Sequence, residues 1–124
     1  MNEPGESLTG DDERSAQIRK AVGIAIARKR EQAGLSQEAV AERLGIVNLS
    51  VSRMERGVHA VTADRLIMLA EIFGCRADEL LLPGSSRMTD QVGELAATME
   101  TFTASERTFV MEFVRNFSSY KQQK

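Results

Sequence analysis

The chain has 124 residues, 42% of them hydrophobic, 27% charged and only 5% aromatic, which suits one small helical domain with appendages and excludes two full-sized domains. A single cysteine, Cys75, rules out an intramolecular disulfide and a multi-thiolate zinc site, and no run approaches the roughly 18 apolar residues of a membrane span. The net charge of −2 is unevenly spread: residues 1–13 carry five acids and no base, whereas residues 14–56 carry nine Arg or Lys against four acids. The start MNEPGESLTG has neither the basic head nor the apolar stretch of a secretory signal, so a cytoplasmic location and no membrane partner are expected.

Residues 1–13 combine acid with Pro4, Gly5 and Gly10 and are expected to be a disordered tail. From about Ser15 to Ala33, Ile18, Val22, Ala25 and Ile26 recur at helical spacing, and Gly34 stands where a left-handed cap ends a helix. Ser36 then has the character of an N-cap, with Glu38 near the positive end of the next dipole. That second helix is short: Val40, Ala41 and Leu44 make its inner face and Gly45 stops it, since glycine takes positive φ without steric penalty.

A third helix is predicted over about 48–56 with Val51 and Met54 inward, a fourth from about 62 to 73 before Gly74, and a fifth over about 77–82 before Pro83. Beyond a linker at 84–90, Val92, Leu95, Ala96, Met99 and Phe102 form one apolar stripe and Phe109, Val110, Phe113 and Phe117 a second. Thr103 and Glu106 between them have the spacing of a capping box, so residues 91–120 read as a helical hairpin. Three phenylalanines four residues apart need a cover, because exposed apolar surface is disfavoured by about 25 cal/mol per Å². Docking onto the chain's own core would supply it; pairing with a second copy through Phe109, Phe113 and Phe117 is the reading adopted.

Two short helices joined around a glycine cross steeply, with a small residue, Ala41, where the backbones approach. Positions 48, 49, 52, 53 and 56 then share the outward face of the third helix. That face is Asn, Leu, Ser, Arg and Arg, with no acid among them. A DNA major groove can use these groups: arginine pairs with guanine O6 and N7, asparagine with adenine N6 and N7, and an apolar side chain meets the thymine methyl.

The segment LSQEAVAERLGIVNLSVSRMERG at 35–57, preceded by IARKREQAG at 26–34 and followed by LIMLAEIFGCRADELL at 66–81, resembles the phage-repressor (Xre/Cro-like) helix-turn-helix family. Gln37, Ala41, Gly45, Val51, Glu55 and Gly57 stand where the family pattern wants them. The resemblance implies an all-α fold, with a five-helix repressor-type domain over 14–83 ahead of the hairpin, and a homodimer on a two-fold symmetric stretch of double-stranded DNA. It further implies base contacts by Asn48, Leu49, Ser52 and Arg53, phosphate contacts by Gln37 and Arg56, and an ion pair between Arg30 and Glu55 that orients the third helix. The family usually has Ser or Thr at the position of Val47, so Asn48 either caps the helix itself or reads a base.

The function this points to is a sequence-specific transcriptional regulator, a repressor rather than an activator. The alternative is a protein-interaction module, an antitoxin-like partner that uses its C-terminal helices and binds DNA only secondarily. An enzyme is not expected, nor a metal or cofactor: the sequence has one histidine and one cysteine and no phosphate-cradling glycine loop.

Overall fold

The computed structural model describes residues 4–123, which form seven α-helices and, among the described residues, no strand. Helix α1 spans Pro4–Gln32, α2 Gln37–Leu44, α3 Asn48–Glu55, α4 Ala63–Phe73 and α5 Ala77–Leu81; a 3-10 turn, Leu82–Gly84, precedes α6, Met88–Met99, and α7, Ala104–Gln122. No helix of the described residues is long and apolar enough to cross a membrane. The chain divides into two units, residues 1–91 and 92–124.

Most boundaries follow from local chemistry. Ser36 takes an extended conformation and its Oγ accepts the Ala39 N–H at 3.0 Å, satisfying one of the free donors at the start of α2. Gly45 adopts a left-handed conformation (φ 69°, ψ 33°) in which its N–H bonds back to α2, so the chain can turn after only two helical turns. In α7, Thr103 Oγ1 accepts the Glu106 N–H at 3.2 Å while the Glu106 carboxylate accepts the Thr103 N–H at 2.8 Å, both halves of the expected capping box.

Two boundaries differ from expectation. Helix α1 starts at Pro4 instead of near Ser15, so the acidic stretch expected to be a tail is helical in its backbone from Pro4; residues 1–3 lie outside the described residues. Proline fits the first helical position, where its missing N–H forfeits no bond, and acids near a helix N-terminus are favoured by the dipole. The composition that argued for a tail therefore serves a helix start equally well. Helix α6 likewise begins at Met88, inside the stretch 84–90 expected to be a linker.

The first unit closes around one core. Val22, Ala25 and Ile26 from α1, Val40 and Ala41 from α2, Val51 and Met54 from α3, Leu66, Leu69 and Ala70 from α4 and Leu80 from α5 are all buried. Complete burial of an Ile, Leu or Val side chain contributes about 1.5–3 kcal/mol, so Ile26, Val51, Leu69 and Leu80 fix where the short helices sit. Lys29 of α1 reaches Glu79 of α5 at 3.2 Å, and the Arg76 N–H donates to the other oxygen of that carboxylate at 2.6 Å.

The Arg76 N–H first, and Lys29 after it, hold the Glu79 carboxyl below its ordinary range. A carboxylate with a depressed pKa adds stability in full above its ordinary range and loses it as the pH falls through that range and below. Glu79→Gln should therefore lower the denaturation midpoint at pH 7, with the gap to wild type narrowing as the pH falls through the ordinary carboxylate range and below it. A gap independent of pH would show that Glu79 contributes through packing alone.

Candidate nucleic-acid interface

Helix α3 has a sharply divided surface. Val51 and Met54 are buried against α1 and α2, while Asn48, Leu49, Arg53 and Arg56 are exposed on the other side and Ser52 is half-buried at its edge. Glu55 is the one acid of α3, and it is turned away from that face. The outward face therefore presents two guanidinium groups, an amide and an apolar side chain, Leu49, which is 49% exposed, with no carboxylate of its own helix among them.

The carboxylate of Glu55 holds the seat of this helix. Arg30 Nε donates to Glu55 Oε2 at 2.6 Å and Arg30 Nη2 donates to Oε1 at 3.1 Å, a fork-to-fork pair. The third guanidinium nitrogen, Nη1, donates to the Leu35 carbonyl at 2.9 Å. Gln37 Nε2 donates to Glu55 Oε1 at 2.9 Å. The Arg30 and Glu55 side chains are only 14% and 7% exposed, and the hydrogen bond to Glu55 raises the Arg30 pKa further, against the opposing effect of burial. This one network ties α1, the start of α2 and the end of α3 together.

Val47, not Asn48, occupies the N-cap of α3 (φ −77°, ψ 150°) and makes no side-chain cap bond. Asn48 is the first helical residue and is exposed. Gln37, for which the family resemblance implies a phosphate contact, has its amide nitrogen on Glu55; a primary amide carries two N–H groups, so one remains for a ligand. Arg56 follows the last residue of α3 and points its side chain into solvent, with only a long 3.4 Å contact from Nε to the Ser52 carbonyl. Phe109, Phe113 and Phe117 belong to the second unit, on one side of α7, and are 71%, 66% and 57% exposed.

Sequence reasoning missed the close approach that locks α3 against α1. A Cβ on Gly23 would lie 2.6 Å from the Met54 carbonyl oxygen and closer still to that of Glu55. From the other side, Gly57 (φ 72°) brings its own Cα so near α1 that a Cβ would meet the Lys20 backbone at 2.8 Å, and Arg19 Nε donates to the Gly57 carbonyl at 3.4 Å. An isolated glycine inside an otherwise helical run, as at Gly23, hints at a packing role, but nothing around it says which helix approaches.

No cluster of His, Cys, Asp and Glu among the described residues has the makings of a metal site. Burial pushes the Cys75 thiol up, which keeps it protonated and a poor nucleophile at neutral pH.

A helix-turn-helix family profile matches residues 26–80, the stretch from the last two turns of α1 to α5. The chain is similar to the uncharacterised HTH-type transcriptional regulator y4dJ of Sinorhizobium fredii, at 39% identity over 66 residues that make up 53% of this chain and 86% of that one. It is similar in fold to the crystal structure of the clp gene regulator ClgR from C. glutamicum, with a TM-score of 0.52 across 57% of this chain and 92% of the other; at 24% identity that likeness speaks for the fold alone. These likenesses do not favour an interaction module with DNA binding secondary. With its outward α3 face and its matching α1–α5 frame, this chain belongs to the phage-repressor-type helix-turn-helix family of DNA-binding transcriptional regulators.

Proposed function

We propose that the protein is a cytoplasmic repressor that binds a two-fold symmetric operator as a homodimer, with α3 of each copy in the major groove. The observation that carries this reading is the exposed, acid-free face of α3, propped outward on the Arg30–Glu55–Gln37 network. Asn48, Leu49, Ser52 and Arg53 meet base edges; Gln37, through its second amide N–H, and Arg56 meet phosphates on either side. The phenylalanine face of α7 joins the two copies.

Selection from random duplex at a stated salt concentration tests the proposal. The expected product is an inverted repeat whose half-sites lie about one helical turn, or a multiple of it, apart. No enrichment of any sequence over bulk DNA would overturn it.

Arg53→Ala should cost about 1–3 kcal/mol on the selected site and relax the preference at one base pair, whereas Gln37→Ala should weaken binding to all sequences alike. Equal losses on selected and random duplex for Arg53→Ala would remove its reading role. Phe113→Glu should convert the dimer to monomer by light scattering and lower operator affinity by roughly 10²-fold, the scale of avidity when two linked sites become one. A variant that stays dimeric would place the interface away from α7.

A further inference from the structure

Helix α7 spans 19 residues, buries none of them and carries its aromatic residues in a narrow band, with Val114 just beyond the margin and Met111 on another side. On a 3.6-residue wheel Phe109, Val110, Phe113, Phe117 and Tyr120 fall within about 120° of one another. Two charged residues lie inside the same arc, one at each end: Glu106 near its centre in the first turn and Lys121 at its margin in the last. They stand equally far, in residues, from the midpoint between Phe113 and Val114. The remaining charges of the helix, Arg107, Glu112 and Arg115, fall outside the arc, Arg107 some 40° beyond Lys121.

An interface between identical copies related by a two-fold axis must be complementary to itself. A face with an acid at one end and a base at the other meets that condition when the helices run antiparallel, and violates it when they run parallel. A parallel pair brings the two Glu106 carboxylates to one level and the two Lys121 ammonium groups to another. An antiparallel pair centred between Phe113 and Val114 sets each Glu106 level with Lys121 of the second copy. It also lays Phe109 and Val110 alongside Phe117 of the second copy and puts Phe113 at the axis. The helix dipoles then oppose one another as well, which is their favoured arrangement.

We infer that α7 pairs with α7 of a second copy in antiparallel orientation, in the register that aligns Glu106 with Lys121. The inference rests on the dimer proposed above and specifies its geometry.

The test uses the full chain carrying Cys75→Ser, so that a single introduced thiol takes the spin label, with circular dichroism to confirm that the fold is kept. A nitroxide at Gln122→Cys is the primary probe, since Gln122 lies outside the apolar arc and its change leaves the charges intact. At 1.5 Å per residue the antiparallel register separates the two Gln122 positions by about 25 Å along the axis, giving a label-to-label distance of roughly 35 Å once the width of the pair is included. A parallel pair leaves them level with one another on the two outer faces, separated by the width of the pair alone, about 25 Å. Mixing chains labelled at Ser105→Cys with chains labelled at Gln122→Cys should reverse the pattern and give a short distance. Lys121→Glu should raise the dimer dissociation constant about tenfold, because each α7 then sets a carboxylate against Glu106 of the other.

A short distance from Gln122→Cys alone, with dissociation unmoved by Lys121→Glu, overturns the antiparallel register and leaves the dimer standing. Absence of dipolar coupling in every sample, with a monomer mass in solution, overturns the dimer and the register together.

Discussion

Glu55→Ala should lower folding stability by about 3 kcal/mol, read as a drop in the urea midpoint without a change in slope. The cost comes less from the attraction that is lost than from the charge that is left. With Glu55 gone, the Arg30 guanidinium keeps its place at 14% exposure with only the Leu35 carbonyl and, 3.8 Å away, the exposed Glu31 carboxylate for partners, and the Gln37 amide loses its acceptor. Removing one member of such a pair is far more harmful than replacing both with apolar groups of similar size, so Arg30→Met combined with Glu55→Leu should recover most of the loss. The pair between Arg76 and Asp78 serves as the control. Its side chains are 77% and 44% exposed, and Asp78→Ala should cost no more than about 1 kcal/mol. If Glu55→Ala proves as mild as Asp78→Ala, α3 is seated by its apolar contacts alone and the network is incidental.

The contrast between these two pairs also shows what a sequence can and cannot disclose. The boundaries at Ser36, Gly45 and Gly74 each depend on one residue acting on its own neighbourhood, so they were readable directly. The outward face of α3 was readable for the same reason: its positions follow from the helical period once Val51 and Met54 are placed inside. The Gln37 amide was a different matter. Its residue type suits a phosphate contact, but which acceptor it meets depends on the carboxylate that the third helix delivers beside it, and the structure puts Glu55 there.

The start of α1 was misjudged because acid and proline favour both a solvated tail and the positive end of a helix, and composition alone does not choose between them. The apolar band of α7 was plain in the sequence, whereas what covers it is not written in the band itself. Gly23 was hidden in yet another way. Nothing in Ala21-Val22-Gly23-Ile24 marks a crossing, since the atoms it must avoid belong to Met54 and Glu55, in a different helix.

Gly23→Ala sets two effects of opposite sign against each other. In the middle of a helix, alanine is better than glycine by about 1 kcal/mol, because glycine loses more backbone freedom on folding. At Gly23 the added methyl would run into the carbonyl oxygens of Met54 and Glu55, the first at 2.6 Å. These are backbone atoms at the end of α3, with no rotamer to move out of the way, so α1 and α3 must separate. Such overpacking typically costs 1–3 kcal/mol and more where backbone must shift, so the net effect should be a loss of about 2 kcal/mol.

Gly93 in α6 supplies the comparison, for a Cβ there meets nothing within 4 Å and Gly93→Ala should gain up to about 1 kcal/mol through propensity alone. The displacement caused by Gly23→Ala should also be felt on DNA. Met54 and Glu55 close the helix that carries Arg53, so any shift of α3 moves the guanidinium for which a base contact is proposed, and affinity for the selected operator should fall more than affinity for random duplex. A Gly23→Ala protein that is as stable as wild type and keeps its sequence preference would mean that α1 and α3 tolerate a wider crossing, and that the two glycines are not what fixes the pose of the reading helix.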